Sequence, residues 1–196
     1  MDVQIQNYLE GLAWHQESFV NCASFKPWSH ANVSQQDKLT CFNSFVVSRL
    51  LYALSTMQLV RSQRRRLDGF YARCLRRVLH IPAAFVSRIS NSVVFKRASV
   101  QPITEQLLRK QLVLFQQVAT APQGDPLRRD TFVAEGMDPM ISHFIRRVGR
   151  PRLDWTQELL REGSIRFGSY NSFHTAVQSS TKVQWRQELD RIFSFK

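Results

Sequence analysis

The stretch RRRLDGFYARCLRRVLHIP, residues 64–82, combines an apolar helical stripe with a dense set of arginines. The apolar residues recur at steps of three and four, which is the spacing of one face of an α-helix. They are Leu67, Phe70, Tyr71, Cys74, Leu75 and Val78. Pro82 should end the helix, because the residue before a proline is pushed out of the α-helical region. The pattern predicts an amphipathic helix whose apolar side packs in a core.

The polar side of this predicted helix carries arginines without a compensating glutamate, and Asp68 is the only acid in the stretch. The arginines placed there by helical spacing are Arg65, Arg66, Arg73, Arg76 and Arg77, whereas Arg64 is turned away from them. No glutamate lies one turn away to relieve their repulsion. A solvated basic face is the ordinary interpretation of such a run. Contact with phosphate is the interpretation we favour, because the planar guanidinium group binds phosphate in bidentate fashion.

Helical periodicity extends on both sides of this stretch. Ser34-Gln35-Gln36-Asp37 resembles a capping box, and apolar residues recur at helical spacing from Leu39 to Met57. Phe45, Val47, Leu51 and Tyr52 widen that stripe, which predicts a helix buried on more than one side. We expect the apolar side of 64–82 to dock on this helix. Another helix is predicted after Pro102, and no segment alternates with the period of a β-strand, so the fold class is mainly α.

The same patterns divide the chain into four parts. Residues 1–33 form an N-terminal segment whose structure the sequence does not define, and residues 34–120 are predicted to form an irregular helical bundle. Residues 121–144 contain prolines at 122, 126 and 139 and glycines at 124 and 136, which indicates a linker. Residues 145–196 are predicted to form a small C-terminal helical segment.

The charge of the chain points to a polyanionic partner. The net charge is +12, and the excess lies beyond residue 60, because the first 60 residues hold one more acid than base. A second basic cluster, Arg146, Arg147, Arg150 and Arg152, lies in the sequence RRVGRPR. An anionic membrane surface is the weaker alternative, because the basic residues are spread over several segments. No apolar run is long enough to cross a bilayer and no targeting sequence is recognisable, so we expect an intracellular protein of the nucleus or cytoplasm.

The sequence shows no recognisable catalytic or metal-binding motif. It lacks a phosphate-binding glycine loop, a nucleophile elbow and a zinc-protease motif, and its aspartates and histidines are scattered. Cys22, Cys41 and Cys74 have no metal-ligand spacing, and the last two lie on apolar stripes where a free cysteine acts as a small hydrophobe. We therefore expect no catalytic centre, no metal and no cofactor in this chain.

Residues 35–155 carry an ordered series of motifs. The motif residues up to position 81 are Lys38, Leu39, Phe42, Val46, Leu50, Leu51, Tyr52, Leu67, Phe70, Arg73, Cys74, Leu75, Arg76, Arg77, Leu79 and Ile81. The series continues through Ile89-Ser90-Asn91 to GRPRLDW at 149–155. In order and spacing it resembles the region just downstream of the polymerase palm in reverse transcriptases of LINE-type, non-LTR retrotransposons. The resemblance implies the thumb and the helical connection that follows it.

The chain departs from that family at three points. Ala53 and His80 stand where the family usually has glycine, and the second change favours a helix that continues to Pro82. The paired aspartates of the palm are absent, so the resemblance implies a piece without the catalytic half of an RNA-directed DNA polymerase. We expect no enzymatic activity from this chain alone.

Three functions remain in order of preference. The first is a non-catalytic fragment that binds the backbone of RNA or of an RNA–DNA duplex, with the palm and fingers half as a further partner. Its phosphate contacts would be Arg65, Arg66, Arg73, Arg76 and Arg77, with Arg146, Arg147, Arg150 and Arg152 as a second tier. The alternative is a helical protein-interaction module without a nucleic-acid role, and an enzyme comes third.

Overall fold

The computed structural model describes residues 32–52, 54–133, 136–140 and 154–194. In these residues the protein is mainly helical, as predicted, and the β-structure is limited to one antiparallel bridge between Phe132 and Pro139. The helices are α1 (Gln35–Phe42), α2 (Ser48–Tyr52), α3 (Arg61–Val78), α4 (Ala84–Ser87), α5 (Asn91–Ala98), α6 (Ile103–Ala119), α7 (Pro126–Thr131), α8 (Trp155–Phe167), α9 (Tyr170–Ser179) and α10 (Lys182–Ile192). A π-helical turn, Asn43–Val47, joins α1 to α2, and a short 3₁₀ helix, Leu54–Thr56, follows α2.

Helix α1 begins at the predicted cap. The Ser34 hydroxyl oxygen accepts a hydrogen bond from the Asp37 backbone N–H at 3.1 Å, and the same hydroxyl donates to the Asp37 carboxylate at 2.7 Å. The first contact satisfies a backbone donor that has no partner within the helix. The capping prediction is therefore confirmed.

The prediction that the 39–57 helix is buried on more than one side is only partly correct. Val47 and Leu51 are buried, but Phe45 is 62% exposed and Tyr52 is 85% exposed. Phe45 and Tyr52 are seven residues apart, so they share one side of the helix, and that side is turned away from the core. Cys41, four residues before Phe45, is also exposed, which corrects its predicted place in the core.

The apolar side of α3 packs as predicted against α1. Tyr71 is fully buried, and its ring stacks on Phe42 of α1 at a centroid distance of 5.8 Å and on Phe95 of α5 at 5.9 Å. The Tyr71 hydroxyl accepts a hydrogen bond from the Gln106 side chain at 3.2 Å. Burial raises the pKa of this phenol, which stays protonated. Tyr71 thus joins α3 to three other helices, α1, α5 and α6.

Helix α6 connects two hydrophobic clusters. The first cluster runs from Leu39 to Leu107 and the second from Leu108 to Phe193, so the division falls within this one helix. Asp68 of α3 fixes the start of α6 by accepting hydrogen bonds from the Thr104 backbone N–H at 3.1 Å and from its hydroxyl at 2.8 Å. The predicted bundle of residues 34–120 therefore shares its last helix with the C-terminal helices.

The described part of the predicted linker is packed structure. Asp125 accepts hydrogen bonds from the first backbone donors of α7, and Pro126 occupies the first turn, where a proline fits a helix well. Phe132 and Met137 are buried in the second cluster. The prolines and glycines mark turns on either side of this short helix. Too few apolar residues lie between them to show a periodicity, which is why a linker was the wrong prediction for this part.

Two helical glycines should respond to alanine in opposite ways. A Cβ atom at Gly163 of α8 would lie 2.5 Å from the ring of Phe173, which is fully buried on α9. We expect Gly163→Ala to lower the free energy of unfolding by about 1–3 kcal/mol, because the backbone or the buried ring must shift within the packed core to make room for the methyl group. Chemical denaturation followed by circular dichroism measures this change.

The control is Gly69→Ala in α3, where the nearest atom to a new Cβ is the flexible end of Arg73 at 3.8 Å. We expect this variant to be more stable by about 0.5–1 kcal/mol, since alanine loses less backbone entropy in a helix than glycine. Stability changes of the same sign in both variants would contradict the packing between α8 and α9.

Candidate nucleic-acid interface

Helix α3 ends earlier than the sequence predicts. Its last residue is Val78, and His80 adopts the left-handed conformation with φ of 54°. The Ile81 backbone N–H then donates to the Arg76 carbonyl at 2.8 Å, which closes the helix with a bond of the Schellman type. The expectation that His80 extends the helix to Pro82 is therefore wrong. His80 occupies the backbone conformation that glycine adopts more readily.

Arg76 is buried, although the sequence places it on the exposed basic face. Only 4% of its surface is accessible. One terminal nitrogen of its guanidinium donates to the Pro82 carbonyl at 3.3 Å and to the Ser87 hydroxyl at 3.2 Å. The other donates to the Ile89 carbonyl and to the Asn91 side-chain carbonyl. Arg76 is thus removed from the predicted phosphate contacts, because the chain after Pro82 folds back over it.

Three other arginines of α3 form an exposed row. Arg66, Arg73 and Arg77 are separated by seven and four residues, so they lie within about 40° of arc and along about 16 Å of helix. We call these three residues the arginine stripe. Arg65 is exposed too, but it lies about 100° round the helix from Arg66. The structure therefore brings together three of the five predicted residues and leaves Arg65 at their edge.

The acid on α3 and the acid that pairs with its Arg64 are both committed to partners outside the stripe. Asp68 caps α6, as described above, and Glu158 of α8 forms ion pairs with Arg64 at 3.3 Å and with Arg161 at 2.7 Å. The hydrogen bond from Arg161 is the main cause that lowers the pKa of Glu158, and Arg64 adds to it. Across the described ranges, no carboxylate forms an ion pair with the stripe. Its charges are thus available to an external anion.

Exposed basic residues also occur beyond α3, in a segment of the sequence that lacks acids. Our prediction did not use this absence. Residues 69–104 contain no aspartate or glutamate. Within this acid-free segment, Arg88, Lys96 and Arg97 are exposed in addition to Arg73 and Arg77 of the stripe. Arg88 precedes α5 and the other two lie in its last turn, and α5 packs on α3 through Phe95 and Tyr71. The absence of acids over so long a segment could have identified these residues from the sequence.

The second predicted cluster stays a prediction. Arg146, Arg147, Arg150 and Arg152 lie outside the described residues, as do residues 1–31 with Cys22. Where the structure does describe the chain, no group of three or more histidine, cysteine, aspartate or glutamate side chains is placed to hold a metal ion. In the same ranges no helix is both long enough and apolar enough to span a membrane.

Comparison with models of protein families, with curated proteins and with solved structures finds no match to this chain. The resemblance to LINE-type reverse transcriptases therefore rests on the sequence motifs alone.

The neighbouring residues Arg76 and Arg77 should differ sharply in their contribution to stability. We expect Arg76→Gln to lower the free energy of unfolding by about 2–4 kcal/mol, because a shorter, neutral amide cannot make the hydrogen bonds by which the buried guanidinium holds the 82–91 segment. Arg77→Gln should change stability by less than about 0.5 kcal/mol, since this side chain is exposed. Urea denaturation of both variants measures the difference, and equal stabilities would contradict the placement of Arg76.

Proposed function

We propose that this protein binds the phosphate backbone of a nucleic acid through the arginine stripe. The observation that carries the proposal is the row of Arg66, Arg73 and Arg77, exposed on a well-packed helix and without a carboxylate partner in the described ranges. Like charges this close together repel unless a counter-charge arrives. A phosphate backbone supplies a line of such charges, and guanidinium groups bind it with good geometry.

An RNA strand or an RNA–DNA duplex is the proposed ligand. Backbone binding depends on charge and shape and not on reading the edges of bases, and nothing more than a basic helix is needed for it. The choice of RNA or a hybrid follows from the resemblance of residues 35–155 to the region downstream of a reverse transcriptase palm. By the same resemblance we propose a non-catalytic piece of a LINE-type enzyme, with the palm and fingers half as a further partner.

A helical protein-interaction module is the second candidate. It is favoured by the exposed aromatic residues Phe45 and Tyr52, which share one side of the α1–α2 segment. Large exposed apolar residues that lie together are typical of surfaces that bind other proteins. This surface lies on other helices than the stripe, so the two candidates predict different effects of substitution.

The test is the salt dependence of binding to an RNA–DNA duplex, measured by fluorescence anisotropy. We expect the affinity of the unchanged protein to fall steeply as salt is raised, because each neutralised phosphate releases counterions. Replacing the three stripe arginines together by glutamine should weaken binding. It should also reduce the slope of log affinity against log salt by about two to three.

The matched control replaces Arg129, Arg161 and Arg191 by glutamine, which removes the same charge from exposed positions outside the stripe. We expect this variant to keep most of the slope. Equal losses in both triple variants, or an affinity that salt does not change, would reject the proposal. If replacing Phe45 and Tyr52 by alanine abolished binding, the nucleic acid would bind to the exposed side of the α1–α2 segment and not to the stripe.

A further inference from the structure

The short helix α4 presents two apolar side chains to solvent at the end of the arginine stripe. Phe85 is 78% exposed and Val86 is 62% exposed. Single exposed hydrophobic residues are common and need no explanation by themselves. This pair differs from isolated exposed residues in two ways. The loop that carries it is held by hydrogen bonds from a buried arginine, and exposed arginines flank it in the sequence.

The buried guanidinium of Arg76 fixes both ends of α4. It binds the Pro82 carbonyl before the helix and the Ser87 hydroxyl at the end of it. The Ser87 hydroxyl oxygen also accepts a hydrogen bond from the Ile89 backbone N–H at 3.4 Å, which holds the returning chain. Phe85 lies between these anchors. Its ring is therefore presented on a braced turn, so that little ordering entropy would be lost when a ligand meets it.

Exposed arginines precede and follow Phe85 in the sequence. Arg77, the last residue of the stripe, is adjacent to Arg76, and Arg88 follows α4 directly; both are exposed. No acid lies anywhere in residues 69–104 to offset these charges. A ligand that complements this loop would combine negative charge with a flat apolar face.

A nucleotide has both of these properties. Aromatic side chains stack on the faces of bases, and this contact tolerates any base because each one has a π-face. Inside a duplex those faces are covered by the neighbouring base pairs, so only an unpaired base or the last pair of a duplex offers one. The exposed ring on α4 thus suits an exposed nucleobase that adjoins a phosphate backbone bound by the arginine stripe.

We propose that Phe85 stacks on an exposed nucleobase at a duplex end or single-strand junction, while the arginine stripe holds the adjoining backbone. This inference rests on the proposed function, and it adds a preference for ends and junctions over the interior of a duplex.

An anionic membrane would also attract an aromatic residue among arginines. It is less suited here, because α4 is a single turn and offers too little apolar surface to insert.

The test compares two probes that contain the same RNA–DNA duplex. One probe ends in a single-stranded overhang. The other is closed at both ends by non-nucleotide aromatic linkers that stack on the last base pairs, so that no base face is exposed. We expect the full chain to bind the open probe at least about fivefold more tightly, as one stacked base contributes that much. Phe85→Ala should abolish this preference while keeping the salt-dependent binding to the closed probe. Phe85→Trp should retain the preference.

Phe45→Ala is the matched control, because it removes an equally large exposed ring from another helix. We expect this variant to keep the preference, and circular dichroism should show that all variants are folded. Equal binding of both probes by the unchanged protein, or a preference that survives Phe85→Ala, would overturn the stacking proposal and leave backbone binding intact. Binding of neither probe would instead reject the proposed function, and the stacking with it. Phe85-dependent binding to phosphatidylserine vesicles without any probe preference would assign the loop to a membrane.

Discussion

The guanidinium of Arg76 is the interaction on which the N-terminal part of the structure depends. A buried arginine costs free energy unless its donors are satisfied, and here the acceptors are two carbonyls, a hydroxyl and an amide of the 82–91 segment. Satisfying them forces the chain to fold back over the end of α3. The same reversal of the chain places α5 beside α3, and the ring of Phe95 on α5 stacks on Tyr71 of α3.

This arrangement also determines which charges stay outside. Because Arg76 is enclosed, the exposed arginines of α3 are the arginine stripe, Arg65 at its edge and Arg61 at the start of the helix. The acids that could neutralise the helix are held in structural roles, Asp68 on α6 and Glu158 on Arg64 and Arg161. These two acids thus join α3 to α6 and to α8, and the stripe has no carboxylate partner in the part of the chain that the structure describes. That separation of charge supports the proposed contact with a phosphate backbone.

The spacing of apolar residues at three and four positions predicted the fold class and the docking of α3 on α1. The pattern of Ser34 followed by Asp37 three residues later predicted the cap. It did not predict the burial of Arg76, whose acceptors lie 6 to 15 residues away and meet it only after the chain reverses. The left-handed His80 that starts this reversal has no local sequence signature comparable to glycine. The exposure of Phe45 and Tyr52 likewise follows from how much surface the neighbouring helices cover, and not from the pattern itself.

The most direct measurement of the central claim is the map of nuclear magnetic resonance shifts when the isotope-labelled chain is titrated with an RNA–DNA duplex. If the arginine stripe and the loop braced by Arg76 form the binding surface, the side-chain signals of Arg66, Arg73 and Arg77 and the backbone of residues 79–90 should shift together. Because it is buried and hydrogen-bonded, the guanidinium of Arg76 should exchange its protons slowly both without and with the duplex. Shifts confined to α8, α9 and α10, or none at saturating duplex, would contradict the account.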